Sequence, residues 1–321
     1  MQTRFTRLVG CSVPIQLAPM GAVSSPDLAA AVADAGGVGT VTSLGSPPEV
    51  FLARLDDLCE RTDGALSANV LLPDVDEEFL AAVAEHVRLV DFFWFDPQPQ
   101  LVEIAHRAGA LVAWQVGSVE EARAAADAGC DVVTVQGLEA GGHVRGHEPL
   151  FPLLQEVLDA VAVPVLAAGG ISDPGTFAEV MRAGADGARI GTRFIATTES
   201  GAHPAYKQAI VDAGDDATVI TDAFADCPLC ATSPRARVLR AAVDRVNAIE
   251  DDVVGTAAMG DRSMPIPRHS GMPPFAGVDG HVDAMALYAG AGVGSVDAVR
   301  PAAEVIAELM AAADRPPAHA G

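Results

Sequence analysis

The chain has 321 residues, half of them hydrophobic, and 43 acidic against 20 basic side chains give a net charge of −23, with Lys207 as its single lysine. That length allows one large α/β domain or two small ones, and so acidic a surface repels nucleic acid and anionic membranes. Scarce aromatics among abundant Ala, Val, Gly and Leu argue against an all-β sandwich, and no run approaches a membrane span.

Short apolar runs alternate with amphipathic, Ala-rich stretches along the first two thirds of the sequence. Eight strands are predicted, at residues 15–18, 38–41, 66–70, 89–93, 111–115, 132–135, 163–167 and 187–190. Helices are expected near 27–35, 48–58, 77–87, 101–108, 119–128, 153–161 and 175–183. Ser25-Pro26-Asp27, Ser118 and Ser172-Asp173-Pro174 are helix start signals. Four helices close on an Ala-Gly joint followed by an apolar run, at Ala35, Ala108, Ala128 and Ala183. Repeated strand–helix alternation points to an α/β (β/α)8 TIM barrel, with a doubly wound open sheet as runner-up. The barrel is favoured because polar and glycine signals cluster after the strands, where a barrel brings them to one mouth.

Proline breaks this rhythm over about 196–281. Helical insertions are expected at 204–213 and 234–249, an irregular loop over 262–277, and helices again at 282–288 and 296–313. The expected organisation is a barrel from 1–195 plus 282–313, with 196–281 as a helical, irregular lid over the mouth.

Candidate chemistry follows the strand order. Pro19 and Met20 follow the first strand; proline fixes the chain, and methionine offers an adaptable apolar surface for a planar ring. Asn69, Gln115 and Gln136 end apolar strands, as buried caps or as amides facing a heterocycle edge. The stretch Gln136-Gly137-Leu138-Glu139-Ala140-Gly141-Gly142-His143 is the most informative. Glycines there admit a ligand close to backbone N–H groups, and a histidine follows that titrates near neutral pH. Gly169-Gly170 and the run Arg189, Ile190, Gly191, Thr192 fall at the ends of strands seven and eight, where barrels often hold phosphate on N–H groups. The absence of lysine there suits a phosphate held by dipoles.

The cysteines number five and are scattered. Cys227 and Cys230 have CxxC spacing, but no second pair or neighbouring histidine completes a zinc site, so a loop with two free thiols is favoured. Met1-Gln2-Thr3-Arg4 leads into no long apolar run, so a cytoplasmic location is expected.

Together these blocks resemble the nitronate monooxygenase (2-nitropropane dioxygenase) family. The resemblance runs from Pro14-Ile15-Gln16-Leu17-Ala18-Pro19-Met20 through Asn69 and the Gly-Gly-His block to Gly191-Thr192-Arg193-Phe194, Ala286-Leu287-Tyr288 and Arg300-Pro301. It implies a TIM barrel with non-covalent FMN, flavin contacts at Asn69, Gln136, Gly141, Gly170 and Arg189 to Thr192, and His143 as the catalytic histidine, placed to take a carbon acid's proton or to stabilise the anionic substrate. The implied reaction takes an alkyl nitronate and O2 to a carbonyl compound and nitrite, in one-electron steps through the flavin. Gly142 and Gly169 extend the cofactor set, and Met20, Phe194 and Tyr288 are candidate lining residues. Partners are then a small-molecule substrate and O2, with no nucleic acid or membrane and a homodimer as an allowed assembly. Val144-Arg145 before Gly146 and the Cys227 loop depart from the family pattern. The rival reading is an FMN-dependent enoyl-acyl-carrier-protein reductase or another NAD(P)H:flavin oxidoreductase.

Overall fold

The computed structural model describes residues 1–70, 75–227, 234–259 and 262–313. Eight parallel strands close into a barrel: β1 (Ile15–Leu17), β2 (Val38–Thr42), β3 (Ala65–Val70), β4 (Leu89–Phe92), β5 (Leu111–Val116), β6 (Val132–Gln136), β7 (Val165–Ala168) and β8 (Gly187–Ile190). β8 returns to β1 with Gln16 opposite Arg189. The expected strands and alternating helices are therefore present as a (β/α)8 barrel. The start signals work as read: Ser25, Ser118 and Asp173 each accept a backbone N–H of the first helical turn, and Asp76, not singled out from sequence, does the same.

The barrel interior is layered. At its base, Val38, Leu89, Ala113, Val132 and Leu166 meet Phe5 and Val9 of a short helix, Arg4–Val9. That helix was not predicted. Its capping box pairs Thr3 with Thr6 rather than with Glu or Gln, the usual signature. Above the base lies a polar layer, described with the site. Helix Ala302–Ala313 packs on helices Pro174–Arg182 and Pro26–Asp34 and completes the outer ring.

Residues between the last barrel strand and that helix build a second core around Tyr206, Ile210, Phe224, Val238, Val246 and Met285. Here the expectations need correction. The predicted helix at 234–249 is a strand, Ala236–Leu239, followed by helix Arg240–Ala248. Its first four residues satisfy their backbone across two partners, Thr218–Thr221 and the two-residue strand Gly142–His143. The loop expected over 262–277 begins as strand Arg262–Pro267, paired with Val253–Met259. Pro265 and Pro267 are tolerated because this is an edge strand. The helix expected over 282–288 is a single 3-10 turn, Val282–Ala284, and the last helix starts at Ala302 instead of 296.

Candidate functional site

A cavity of about 240 Å³ opens at the C-terminal ends of the strands. Pro19, Met20, Asn69, Gln115, Gln136, Gly141, Gly142, His143, Gly169, Gly170, Arg189, Gly191 and Thr192 all line it. Ile190 does not: it is 1% exposed and packs in the barrel core, since alternate residues of β8 face opposite ways. Phe194 likewise points into the core and lines nothing. Tyr206, Cys227, Gly271, Pro273 and Tyr288 close the cavity from the segment beyond β8. Cys227 is a free thiol, and Cys230 lies outside the described residues.

The floor is a buried polar network. Arg189 pairs with Asp91, donates from Nε and Nη2 to Gln16 Oε1 at 3.1 and 3.0 Å, and from Nη1 to Gln115 Oε1 at 2.9 Å. Asp91 also accepts from Ser67 and, at 2.6 Å, from Gln16 Nε2. Because its oxygen must face the guanidinium, Gln115 presents its amide N–H groups elsewhere, and it lines the cavity. Asn69 is braced by Thr42 Oγ1, which donates to Oδ1 at 3.2 Å, and by its own donation to the Asp91 carbonyl at 3.2 Å. Sequence reasoning missed Gln16, Ser67 and Asp91. Their signal was present: a carboxylate inside the apolar run Leu89-Val90-Asp91-Phe92 has to be paired.

Glycines form the facing wall. Gly169 and Gly170 hold φ of +115° and +71°, which L side chains rarely adopt, and an added Cβ at Gly169 would come 2.9 Å from Ala140 N. A Cβ at Gly191 would stand 3.4 Å from both Ala18 Cβ and Met20 Sδ, filling space in the cavity. Thr192 Oγ1 accepts from Gly290 N at 2.9 Å, so its hydroxyl proton is what it can offer a ligand.

His143 is positioned from both sides. Gln136 Nε2 donates to the His143 carbonyl at 2.9 Å, and Gln136 Oε1 accepts from Arg145 N at 3.1 Å. His143 pairs with Ala236 in the three-stranded sheet, and Val144 N donates to Arg235 O at 3.1 Å. Its ring meets Trp94 edge-on, with centroids 5.3 Å apart, and Tyr288 at 5.6 Å. Burial lowers its pKa from the ordinary imidazole value, so the ring is neutral at physiological pH. Trp94 was also missed; it follows the end of β4 in a turn crowded with phenylalanine.

The other histidines among the described residues stand apart from the cavity lining. His203 Nδ1 accepts from Ala205 N at a helix start, and His106 contacts Asp131 at 2.8 Å. Among the described residues no helix is long and apolar enough to cross a membrane.

Comparisons with known proteins place this geometry. The nitronate monooxygenase family model matches residues 2–86 and 78–312. A Mycobacterium tuberculosis protein, (3aS,4S,5R,7aS)-5-hydroxy-7a-methyl-1-oxo-octahydro-1H-indene-4-carboxyl-CoA dehydrogenase, is 35% identical over 69% of this chain; the match spans 63% of that protein's length. The nitronate monooxygenase of Pseudomonas aeruginosa is 31% identical over 65% of this chain and 74% of its own. Among solved structures, FabK from Thermotoga maritima superposes with a TM-score of 0.81 at 29% identity, covering 98% of this chain and 96% of that one. Nitroalkane oxidase from Streptomyces ansochromogenes gives 0.76 at 29% identity, covering 97% and 98%. With a family model matched along nearly its whole length and a closed (β/α)8 barrel beneath the site, the chain belongs to the nitronate monooxygenase family of oxidoreductase enzymes.

Proposed function

We propose that the chain binds FMN in this cavity and oxidises alkyl nitronates with O2, giving a carbonyl compound and nitrite. The observation that carries this reading is His143, a buried neutral imidazole on the cavity wall between Trp94 and Tyr288.

The site fits the cofactor in its donor chemistry. The glycine wall leaves room that a Cβ at Gly191 would fill. Gly169, Gly170, Gly191 and Thr192 would hold the phosphate, where backbone N–H groups and a hydroxyl replace a point charge. Arg189 and the Gln115 amide supply donors on the floor, and Pro19, Met20, Asn69, Gln136, Gly141 and Gly142 complete the lining. The flavin supplies the electron-transfer chemistry when bound.

The chain's own residues handle the substrate. One ring nitrogen of His143 takes the α-proton of a neutral nitroalkane, a task suited to an imidazole that is unprotonated at neutral pH. Trp94 and Tyr288 hold that ring in place. The hydroxyl of Tyr288 donates to Gly271 O at 2.8 Å, and Tyr206 donates to the Tyr288 carbonyl at 2.5 Å, so this wall is itself fixed. Met20, Pro273 and the aromatic rings give the cavity an apolar lining around His143.

The test is the flavin spectrum of purified protein under anaerobic conditions. Chromatography of heat-released cofactor should give FMN, and adding a nitronate should bleach the flavin bands, with nitrite released once air is admitted. Release of FAD, or failure to take up FMN on reconstitution, sinks the cofactor assignment. A second reading, a flavin-dependent enzyme of acyl thioesters using NAD(P)H, is favoured by the 35% identity to the CoA dehydrogenase. Bleaching by NADH but not by nitronate selects that reading.

A further inference from the structure

Trp94 sits at φ +86°, one of two non-glycine residues with positive φ among those described. Its neighbours show how that conformation is enforced. The Phe92 and Phe95 rings pack on Trp114 with centroids 4.7 and 5.3 Å away; Phe92 belongs to the barrel core and half-buried Phe95 packs against it. Trp114 Nε1 donates to the Phe95 carbonyl at 3.2 Å. The chain is thus tied to the core before and after Trp94. The reversed φ in between places the indole on the cavity wall, against His143. Glycine or asparagine would take this turn with less strain. A strained residue at a site is a reason to ask what its side chain does.

We infer that Trp94 sets the size limit of the substrate by blocking the alkyl chain of the nitronate; this rests on the nitronate reading above. The cavity of about 240 Å³ has to take both the cofactor ring and the substrate. Tyr288, the other aromatic ring against His143, is fixed at both its hydroxyl and its carbonyl. Trp94 is half-buried, its ring meets those of Phe93 and His143 at 5.1 and 5.3 Å, and it shares the cavity lining with Leu44. Short-chain nitronates such as ethyl nitronate fit under the indole, and longer chains such as hexyl nitronate collide with it. Trp94 is therefore a specificity determinant, distinct from the base His143.

The experiment compares wild type with Trp94→Gly and Trp94→Phe as full-length, FMN-reconstituted proteins. The measured quantity is the ratio of kcat/KM for hexyl to ethyl nitronate, with flavin content and Tm recorded for each. One methylene in an apolar pocket discriminates by roughly 10–200-fold, so Trp94→Gly should raise that ratio by about tenfold or more, with Trp94→Phe in between. Relief of the φ strain should keep the glycine variant folded and loaded with flavin. If that variant does not fold, Trp94→Asn, which tolerates the same backbone, takes its place. An unchanged ratio in a flavin-loaded variant, with ethyl nitronate still oxidised by wild type, overturns this inference alone. Wild-type protein inert toward both nitronates overturns the nitronate reading and the inference together.

Discussion

Replacing Asp91 with alanine strands a buried charge, and the size of the effect can be worked from the network. The Asp91 side chain is 0% exposed and that of Arg189 is 1% exposed. After Asp91→Ala the guanidinium keeps only the amide oxygens of Gln16 and Gln115. Breaking a buried pair from one side costs about 3–5 kcal/mol. At about 2.1 cal/mol/K per residue, the unfolding entropy of 321 residues is about 0.7 kcal/mol/K, so Tm should fall by about 4–8 °C. The melts belong on flavin-free protein, because a ligand bound to the native state alone would mask the loss. Asp91→Leu combined with Arg189→Met removes both charges and should recover most of that Tm, since a buried pair exchanged for apolar groups is often neutral. A single variant that melts like wild type, or a double variant no more stable than the single one, refutes the claim that the two charges are desolvated together.

Further predictions concern the base and the glycine wall. His143→Asn should retain FMN yet lose about 10²–10⁴ in turnover of neutral nitroalkanes, with preformed nitronates affected much less. Equal losses in nitrite release from both forms would make His143 a positioning group instead. Burial lowers the His143 pKa, and only the unprotonated ring accepts a proton, so nitroalkane oxidation should be lost as pH falls, with a midpoint below the ordinary imidazole value of 6.5; a midpoint above it in a pH–rate profile contradicts the burial argument. The sign for stability is the same: below that ordinary value the unfolded chain binds the proton more readily than the folded one, so stability declines with falling pH, and His143→Asn removes this contribution. Gly170→Asp, at φ +71°, brings a carboxylate to the wall proposed for phosphate, so flavin content should drop while far-UV circular dichroism stays native; undiminished flavin would displace the phosphate site. Gly141→Ala drives a Cβ to 2.6 Å from backbone atoms of Ala289 and Gly290 and should lower Tm and flavin affinity together, checked by melting and titration.

The barrel was legible because its signals are local. Helix caps such as Ser118 and Asp173, Ala-Gly joints, and apolar runs of strand length recur in a fixed order, and each is satisfied within a few residues of chain. Glycine and polar residues after the strands could be assigned to one cavity because a closed barrel leaves them no other common place. The segment beyond β8 resisted reading because its structure is set by distant partners. Ala236–Leu239 carries good helix formers, yet it lies between Thr218–Thr221 and Gly142–His143 and becomes a strand. Pro265 and Pro267 suggested a loop, but an edge position asks nothing of a missing N–H. Trp94 escaped notice for a related reason: its importance lies in a backbone angle that no residue type announces.

The polar layer explains why this barrel departs from the usual packing of its interior by bulky branched side chains. Gln16, Ser67, Asp91 and Arg189 occupy the middle of the barrel, and the buried hydroxyls of Thr40 and Thr134 find no hydrogen-bond partner among the described residues. An apolar layer at this height would be cheaper, since every buried polar atom has to be matched. What the polar layer adds is direction. Asp91 fixes the guanidinium, the guanidinium fixes the amide oxygen of Gln115, and the donors of Gln115 are turned away from Arg189. His143 is placed by different means, through the Gln136 amide and a strand supplied from beyond β8. The floor is thus organised by the barrel alone, whereas His143 depends on the segment added to it. Changes in that segment can therefore alter the His143 side of the cavity without disturbing the floor, an arrangement consistent with this chain's similarity to both a nitronate monooxygenase and a CoA dehydrogenase.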